Sequence, residues 1–141
     1  TKWEGESMLL KEEKIIPLQQ LETLYASVGW SSYTRDLETL HRGIEQSLLV
    51  LTMWHEEQLV GLIRSVGDGA TILYVQDLLV HPTYQNQGVG KALMTELLAR
   101  FPKVRQKVLL TSEAPDVRGF YESFGFSSCD QGEAVAFYKE F

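Results

Sequence analysis

The residues that invite a chemical reading lie in the run Asp77-Leu78-Leu79-Val80-His81-Pro82-Thr83-Tyr84-Gln85-Asn86-Gln87-Gly88-Val89-Gly90-Lys91. Gly88 and Gly90 stand where a loop hands over to a helix striped by Val89, Leu93, Leu97 and Phe101. Two glycines at a helix mouth let the backbone approach a ligand, and first-turn amides without intrahelical partners then point at an anion. The chemistry this spacing predicts is a backbone cradle for a pyrophosphate. A Walker A loop is excluded, because it needs Gly at 85 and Ser or Thr at 92, where the chain has Gln85 and Ala92. A dinucleotide fingerprint is excluded too, since Leu93 replaces its third glycine and a seven-residue loop precedes Gly88. The glycine pair by itself also suits a turn that only caps a helix. Asp77 is the one acid in the apolar run 71–80, so it is either hydrogen-bonded structurally or used chemically. Strand alternation puts Tyr74, Gln76, Leu78 and Val80 on one face and Val75, Asp77 and Leu79 on the other.

Several elements must position these groups. Leu9, Leu10, Ile15 and Ile16 suggest a first strand, and Pro17 opens a helix with Leu18, Leu21, Leu24, Tyr25 and Val28 at spacings of three and four, stopped by Gly29. Residues 30–34 read as irregular, and a second helix follows with Leu37, Leu40, His41 and Ile44 on one face. Residues 48–54 and 59–66 form an antiparallel pair about Glu56-Glu57-Gln58, with a turn at Gly67-Asp68-Gly69. Residues 71–80, nearly all apolar, predict a central strand buried on both faces. A fifth strand at 107–111, a helix at 115–124 and final strands at 125–128 and 135–138 complete an α+β order with an embedded β-α-β unit over 71–111. Residues 1–8 read as a frayed or expression-derived start and 9–141 as one domain.

Composition narrows the partners. The 141 residues hold 13 Lys and Arg against 19 Asp and Glu, a net charge of -6, which argues against a nucleic-acid surface. Only residues 91–118 are positive, at a net +3. The lone Cys129 allows no internal disulfide, and His41, His55 and His81 lack metal-ligand spacing, so no metal is expected. No apolar run approaches the roughly 20 residues of a membrane span, and no secretory signal is evident, so the chain reads as cytoplasmic with no membrane partner.

Two motifs in order, Gln85-x-x-Gly88-x-Gly90 after Leu78-Leu79-Val80-His81-Pro82, and Gly119-Phe120-Tyr121-Glu122-Ser123-Phe124-Gly125-Phe126 downstream, resemble the GCN5-related N-acetyltransferase (GNAT) family. The resemblance implies a mixed, mostly antiparallel sheet of about six or seven strands flanked by about four helices, with acetyl-CoA held between the fourth strand, its following helix and the fifth strand. It implies that backbone amides of Gln87, Gly88, Val89, Gly90 and Lys91 surround the pyrophosphate, with Gln85 in the signature and Lys91 and Arg118 adding charge. The pantetheine arm would pair with Leu78, Leu79 and Val80 like an added strand, one amide serving the thioester oxyanion. Tyr121 would be the general acid for the leaving thiolate, and its alternative is aromatic packing beside Phe120 and Phe124. The family's glutamate base is absent, because Tyr74 occupies its place; Asp77 or a water-mediated base stands in. Ala114 replaces a pantetheine-binding Asn. Trp30, Tyr33 and Trp54 are candidates for lining the pocket of an amine acceptor, a small molecule or peptide, and they serve equally well as core. The implied activity is direct acetyl transfer in a ternary complex, the alternative a catalytically weak acyl-CoA sensor; family members commonly form homodimers.

Overall fold

The computed structural model describes residues 8–141, so residues 1–7 of the expected start lie outside it, while Met8 already belongs to a strand. The chain divides into two compact units, one ending at Leu109 and one beginning at Leu110. In the first, strand β1 (Met8–Glu12) precedes helices α1 (Leu18–Ser27), α2 (Ser31–Thr34) and α3 (Leu37–Glu45). Strands β2 (Leu49–His55), β3 (Gln58–Gly67) and β4 (Ile72–Val80), helix α4 (Val89–Arg100) and strand β5 (Gln106–Leu109) follow. The sheet order is β1-β2-β3-β4-β5, antiparallel except for the β4–β5 pair, which α4 joins. The mixed α+β architecture is as expected.

Local chemistry explains most boundaries. Pro17 caps α1 and Gly29, at φ +77°, turns the chain out of it. Asp36 caps α3 by accepting from the Thr39 amide at 3.2 Å. Asp68 organises the β3–β4 turn, its Oδ1 accepting from the amides of Ala70, Thr71 and Ile72 at 2.8 to 3.1 Å. Helices α1 and α3 bury Leu21, Leu24, Tyr25, Leu40 and Ile44 against Val50, Leu62 and Leu79 on one sheet face. On the other, Gly61 of β3 lets Val89 and Leu93 of α4 approach closely: a Cβ there would meet Val89 Cγ1 at 2.7 Å.

Three expectations need correction. Residues 30–34 are not irregular, because the Tyr33 and Arg35 amides donate back to Trp30 and Ser31 and close one helical turn, giving five α-helices among the described residues. Among the described residues the last two strands do not form, leaving five: Val135 and Phe137 are 75% and 94% exposed, and β-forming side chains make a strand only against a paired neighbour and a buried face. Finally, β4 is not central. Its burial alternates along its length, whereas β2 and β3 are buried almost throughout, and β3 holds the middle of the sheet. In the second unit, α5 (Pro115–Glu122) begins at Pro115, and a single 3-10 turn at Cys129–Gln131 follows it.

Candidate functional site

The loop between β4 and α4 is braced by its own side chains. Gln85 Nε2 donates to the Val80 carbonyl at 3.0 Å and Gln87 Nε2 to the Thr83 carbonyl at 3.1 Å. The Tyr84 hydroxyl is hydrogen-bonded to His55 Nδ1 at 2.7 Å, which ties the loop to the end of β2. Gly88 caps α4 at φ +88°, ψ 5°, a left-handed conformation that costs an L side chain about 1–2 kcal/mol. The first intrahelical bond runs from the Ala92 amide to the Gly88 carbonyl, 3.0 Å, so the amides of Val89, Gly90 and Lys91 have no acceptor within the helix. Val89 is buried against the sheet and Lys91 is exposed beside those amides. Anchored on one side and open on the other, the turn can accept a diphosphate through backbone donors reinforced by the helix dipole.

The strand leading into this turn has an open edge. The β4–β5 ladder runs only from Ile72–Gln106 to Val75–Leu109, and no strand continues it along that edge of β4 among the described residues. The His81 amide donates to Val60 at 2.8 Å, so antiparallel alternation commits Leu79 to β3 and directs the amides of Leu78 and Val80 to the open edge. Of Leu78, Leu79 and Val80, two therefore present backbone groups to the open edge. Leu79 instead supplies a buried side chain to the core on the sheet face that carries α1 and α3.

A bulge accompanies this opening. Arg64 faces Asp77 but Ser65 faces Val75, which leaves Gln76 as an extra residue in β4. The simple alternation expected through the strand is therefore wrong at this point: Gln76 and Asp77 turn to the same face, and both reach the Tyr33 hydroxyl. Gln76 Nε2 donates to it at 3.0 Å, and it donates to Asp77 Oδ1 at 2.9 Å. Asp77 Oδ2 accepts from Arg64 Nε at 2.6 Å and from the Tyr25 hydroxyl at 3.0 Å. Arg64 also donates through its Nη atoms to the Gly43 carbonyl at 3.4 Å, Ser47 Oγ at 3.3 Å and the Tyr33 hydroxyl at 3.3 Å. The side chains of Arg64 and Asp77 are 9% and 3% exposed. Burial is the largest single influence on Arg64 and opposes its charge, but the Asp77 carboxylate together with the Tyr25 and Tyr33 phenols outweighs it, and the guanidinium pKa is raised. Burial, then Asp77, lifts the phenols of Tyr25 and Tyr33 above the ordinary tyrosine range. Trp30 packs edge-on to Tyr25 at 5.9 Å and joins the partly buried rim of the core with Tyr33, whereas Trp54 is inside it.

In the second unit, Tyr121 lies on α5 with its ring against Phe120 and Phe126, and burial holds its phenol above the ordinary range despite a hydrogen bond with Thr111. Arg118 is shared by Glu113, at 2.6 and 2.7 Å, and Asp130, at 3.1 Å, so a phosphate would compete with two carboxylates for it. Among the described residues, no group of three or more His, Cys, Asp or Glu is placed to hold a metal, and no helix is long and apolar enough to cross a membrane.

A family model for the acetyltransferase (GNAT) domain matches residues 17–139. The chain belongs to the GNAT acetyltransferase family. It is an acetyltransferase enzyme, similar over 137 residues, at 31% identity, to the uncharacterised N-acetyltransferase ycf52-like of Prochlorococcus marinus, covering 94% of this chain and 74% of that protein. Its fold matches a GNAT-family acetyltransferase from Streptococcus pneumoniae at a TM-score of 0.83 and 34% identity, over 95% of this chain and 98% of the other. It also matches the aminoglycoside N-acetyltransferase AAC(6')-Iy, solved with the bisubstrate analogue CoA-S-monomethyl-acetylneamine, at a TM-score of 0.72 and 16% identity, over 95% and 98% of the two chains.

The polar network of this GNAT domain was only half legible beforehand. Asp77 stood out, but Arg64 and Tyr25 did not. Arg64 is the one charge inside the apolar run Leu59-Val60-Gly61-Leu62-Ile63-Arg64-Ser65-Val66, so two lone opposite charges in adjacent predicted strands were the available signal. Tyr25 carried none, because its place on the apolar stripe of α1 hid its hydroxyl.

Proposed function

We propose that this acetyltransferase moves an acetyl group from the thioester of acetyl-CoA directly to a primary amine of a small molecule or peptide within a ternary complex. The observation that carries the reading is the pairing, in one compact unit, of a left-handed Gly88 fronting three open amides with the open edge of β4 at Leu78 and Val80. Those two features suit the diphosphate and the amide-bearing arm of one extended ligand. The fold neighbour solved with a CoA-linked bisubstrate analogue supports the same assignment. Acetyl-CoA supplies the activated acyl group; everything else falls to the chain.

In this reading Gln87, Gly88, Val89, Gly90 and Lys91 hold the diphosphate, and Gln85 braces the loop. The Leu78 and Val80 amides pair the arm, the nearer one also donating to the thioester oxygen as negative charge grows there. Tyr121 returns a proton to the departing thiolate, a role open to a phenol, which is protonated at neutral pH and whose pKa burial raises further. Asp77, with both oxygens occupied, positions its neighbours, and a water removes the proton from the amine. Trp30 and Tyr33 border the acceptor. The family match runs across Leu109 and Leu110, which supports reading both units as one acetyltransferase domain. The lone Cys129 favours a reducing, cytoplasmic setting.

The test is release of CoA thiol from acetyl-CoA in the presence of tyramine, neamine or a lysine-containing peptide, beside calorimetric binding of CoA. Turnover of at least one amine with a ternary-complex kinetic pattern is expected. Absence of both CoA binding and turnover rules the reading out, while tight binding without turnover on a broad amine panel favours an acyl-CoA sensor.

A further inference from the structure

The buried charges around Arg64 have a directional consequence at the surface. A carboxylate carries lone pairs only, so the hydroxyls of Tyr25 and Tyr33 must both donate to Asp77. The Tyr33 oxygen, its proton committed, can only accept, and it does so from Arg64 Nη2 at 3.3 Å and from Gln76 at 3.0 Å. Gln76 must therefore present its NH2 to Tyr33, which fixes its carboxamide with Oε1 outward on an exposed residue. The bulge makes this contact available, by turning Gln76 to the face that carries α1 and α2. On the opposite face α4 brings the phosphate turn. Along the strand, Gln76 sits next to the point where the β4–β5 ladder stops, four residues, or about 13 Å at the strand rise, from Val80.

We propose that Gln76 is a specificity-determining contact for the acceptor, its Oε1 receiving an N–H from the amine substrate. Arg64, Asp77 and Tyr33 are positioning residues that set its orientation. The proposal rests on the acetyltransferase reading above and adds to it the side of β4 from which the amine is recognised. It assigns recognition to a neutral oxygen whose direction is imposed by a buried ion pair, so Asp77 acts on the acceptor at two removes. An acceptor bearing a further N–H or an ammonium next to the reacting nitrogen fits such a contact better than one carrying a carboxylate.

Steady-state kinetics of the whole chain with tyramine, neamine and a lysine-containing peptide test this in Gln76→Ala, Tyr33→Phe and the double variant. The lost hydrogen bond should raise the amine KM about fivefold to tenfold in Gln76→Ala. The KM for acetyl-CoA and the calorimetric Kd for CoA should stay within about twofold, which also reports that each variant has folded. Because Tyr33 works through Gln76, the double variant should match Gln76→Ala rather than multiply the two effects. Unchanged amine KM in Gln76→Ala, or independent effects in the double variant, overturns the proposal while wild-type turnover stands. If the wild-type protein acetylates no amine, the acetyltransferase reading itself fails and this inference with it.

Discussion

Arg64 and Asp77 form an ion pair that is nearly out of reach of water, and such pairs contribute less than their contact suggests, because desolvation offsets the attraction. Removing one partner is another matter. Arg64→Met should destabilise the protein by about 3–5 kcal/mol, since it leaves the Asp77 carboxylate buried without its countercharge. The double variant Arg64→Met/Asp77→Leu should recover part of that loss. Urea denaturation measures both, and a double variant no more stable than the single one contradicts this account. Tyr121 makes a second test at this scale. Tyr121→Phe keeps the ring packing against Phe120 and Phe126 but has no proton to give, so kcat should fall about a hundredfold with little change in CoA affinity. Retention of full kcat would leave Tyr121 as a packing residue. Tyr121 is legible as a candidate because it lies in a short local motif. Arg64 was not, because its meaning depends on Asp77, Ser47 and Tyr33, which only the fold brings to it.

Helix α4 must deliver its first-turn amides at a fixed height above the sheet, and a missing side chain on β3 sets that height. Gly61 lies beneath Val89 and Leu93, and an added Cβ would come within 2.7 Å of the first and 3.2 Å of the second. Gly61→Ala should thus lift the N-terminal turn of α4 and raise the acetyl-CoA KM severalfold, with a smaller effect on kcat. Unchanged acetyl-CoA KM in a folded variant would show that the turn tolerates the displacement. Helical periodicity and caps located α1, α3 and α4 in the sequence, since those signals are local. The bulge at Gln76 left no such trace, because it is a mismatch between two strands, and it alone decides which face Gln76 presents. The segment 135–138 shows the reverse failure: alternation and aromatic content imitate a strand, but Val135 and Phe137 find neither a buried face nor a ladder.

Over the whole chain, a formal charge of -6 argues against a nucleic-acid surface but does not say how stability follows pH, which depends on where individual groups end up. Hydrogen bonds from Thr39 lower the pKa of Asp36, those from Thr71, Ala70 and Ile72 lower that of Asp68, and Arg118 lowers that of Glu113. For each of these the unfolded chain binds protons first, so their contribution is present above about pH 4 and is lost as pH falls through the folded values. Tyr25 and Tyr33 lie at the other end of the scale. Burial, then the Asp77 carboxylate, raises both phenols, so below about pH 10 neither state has lost the proton and their contribution to stability is fully present and constant with pH. Above it the unfolded chain ionises while the folded chain resists, and stability falls as pH rises. Tyr25→Phe separates this effect from simple loss of packing. It should be less stable than wild type at pH 8, where the bond to Asp77 is missing, but its stability should decline less steeply between pH 9.5 and 11. Denaturant midpoints of the two proteins across that range decide the matter: parallel alkaline limbs would mean that Tyr25 is not the group whose protonation the folded molecule enforces.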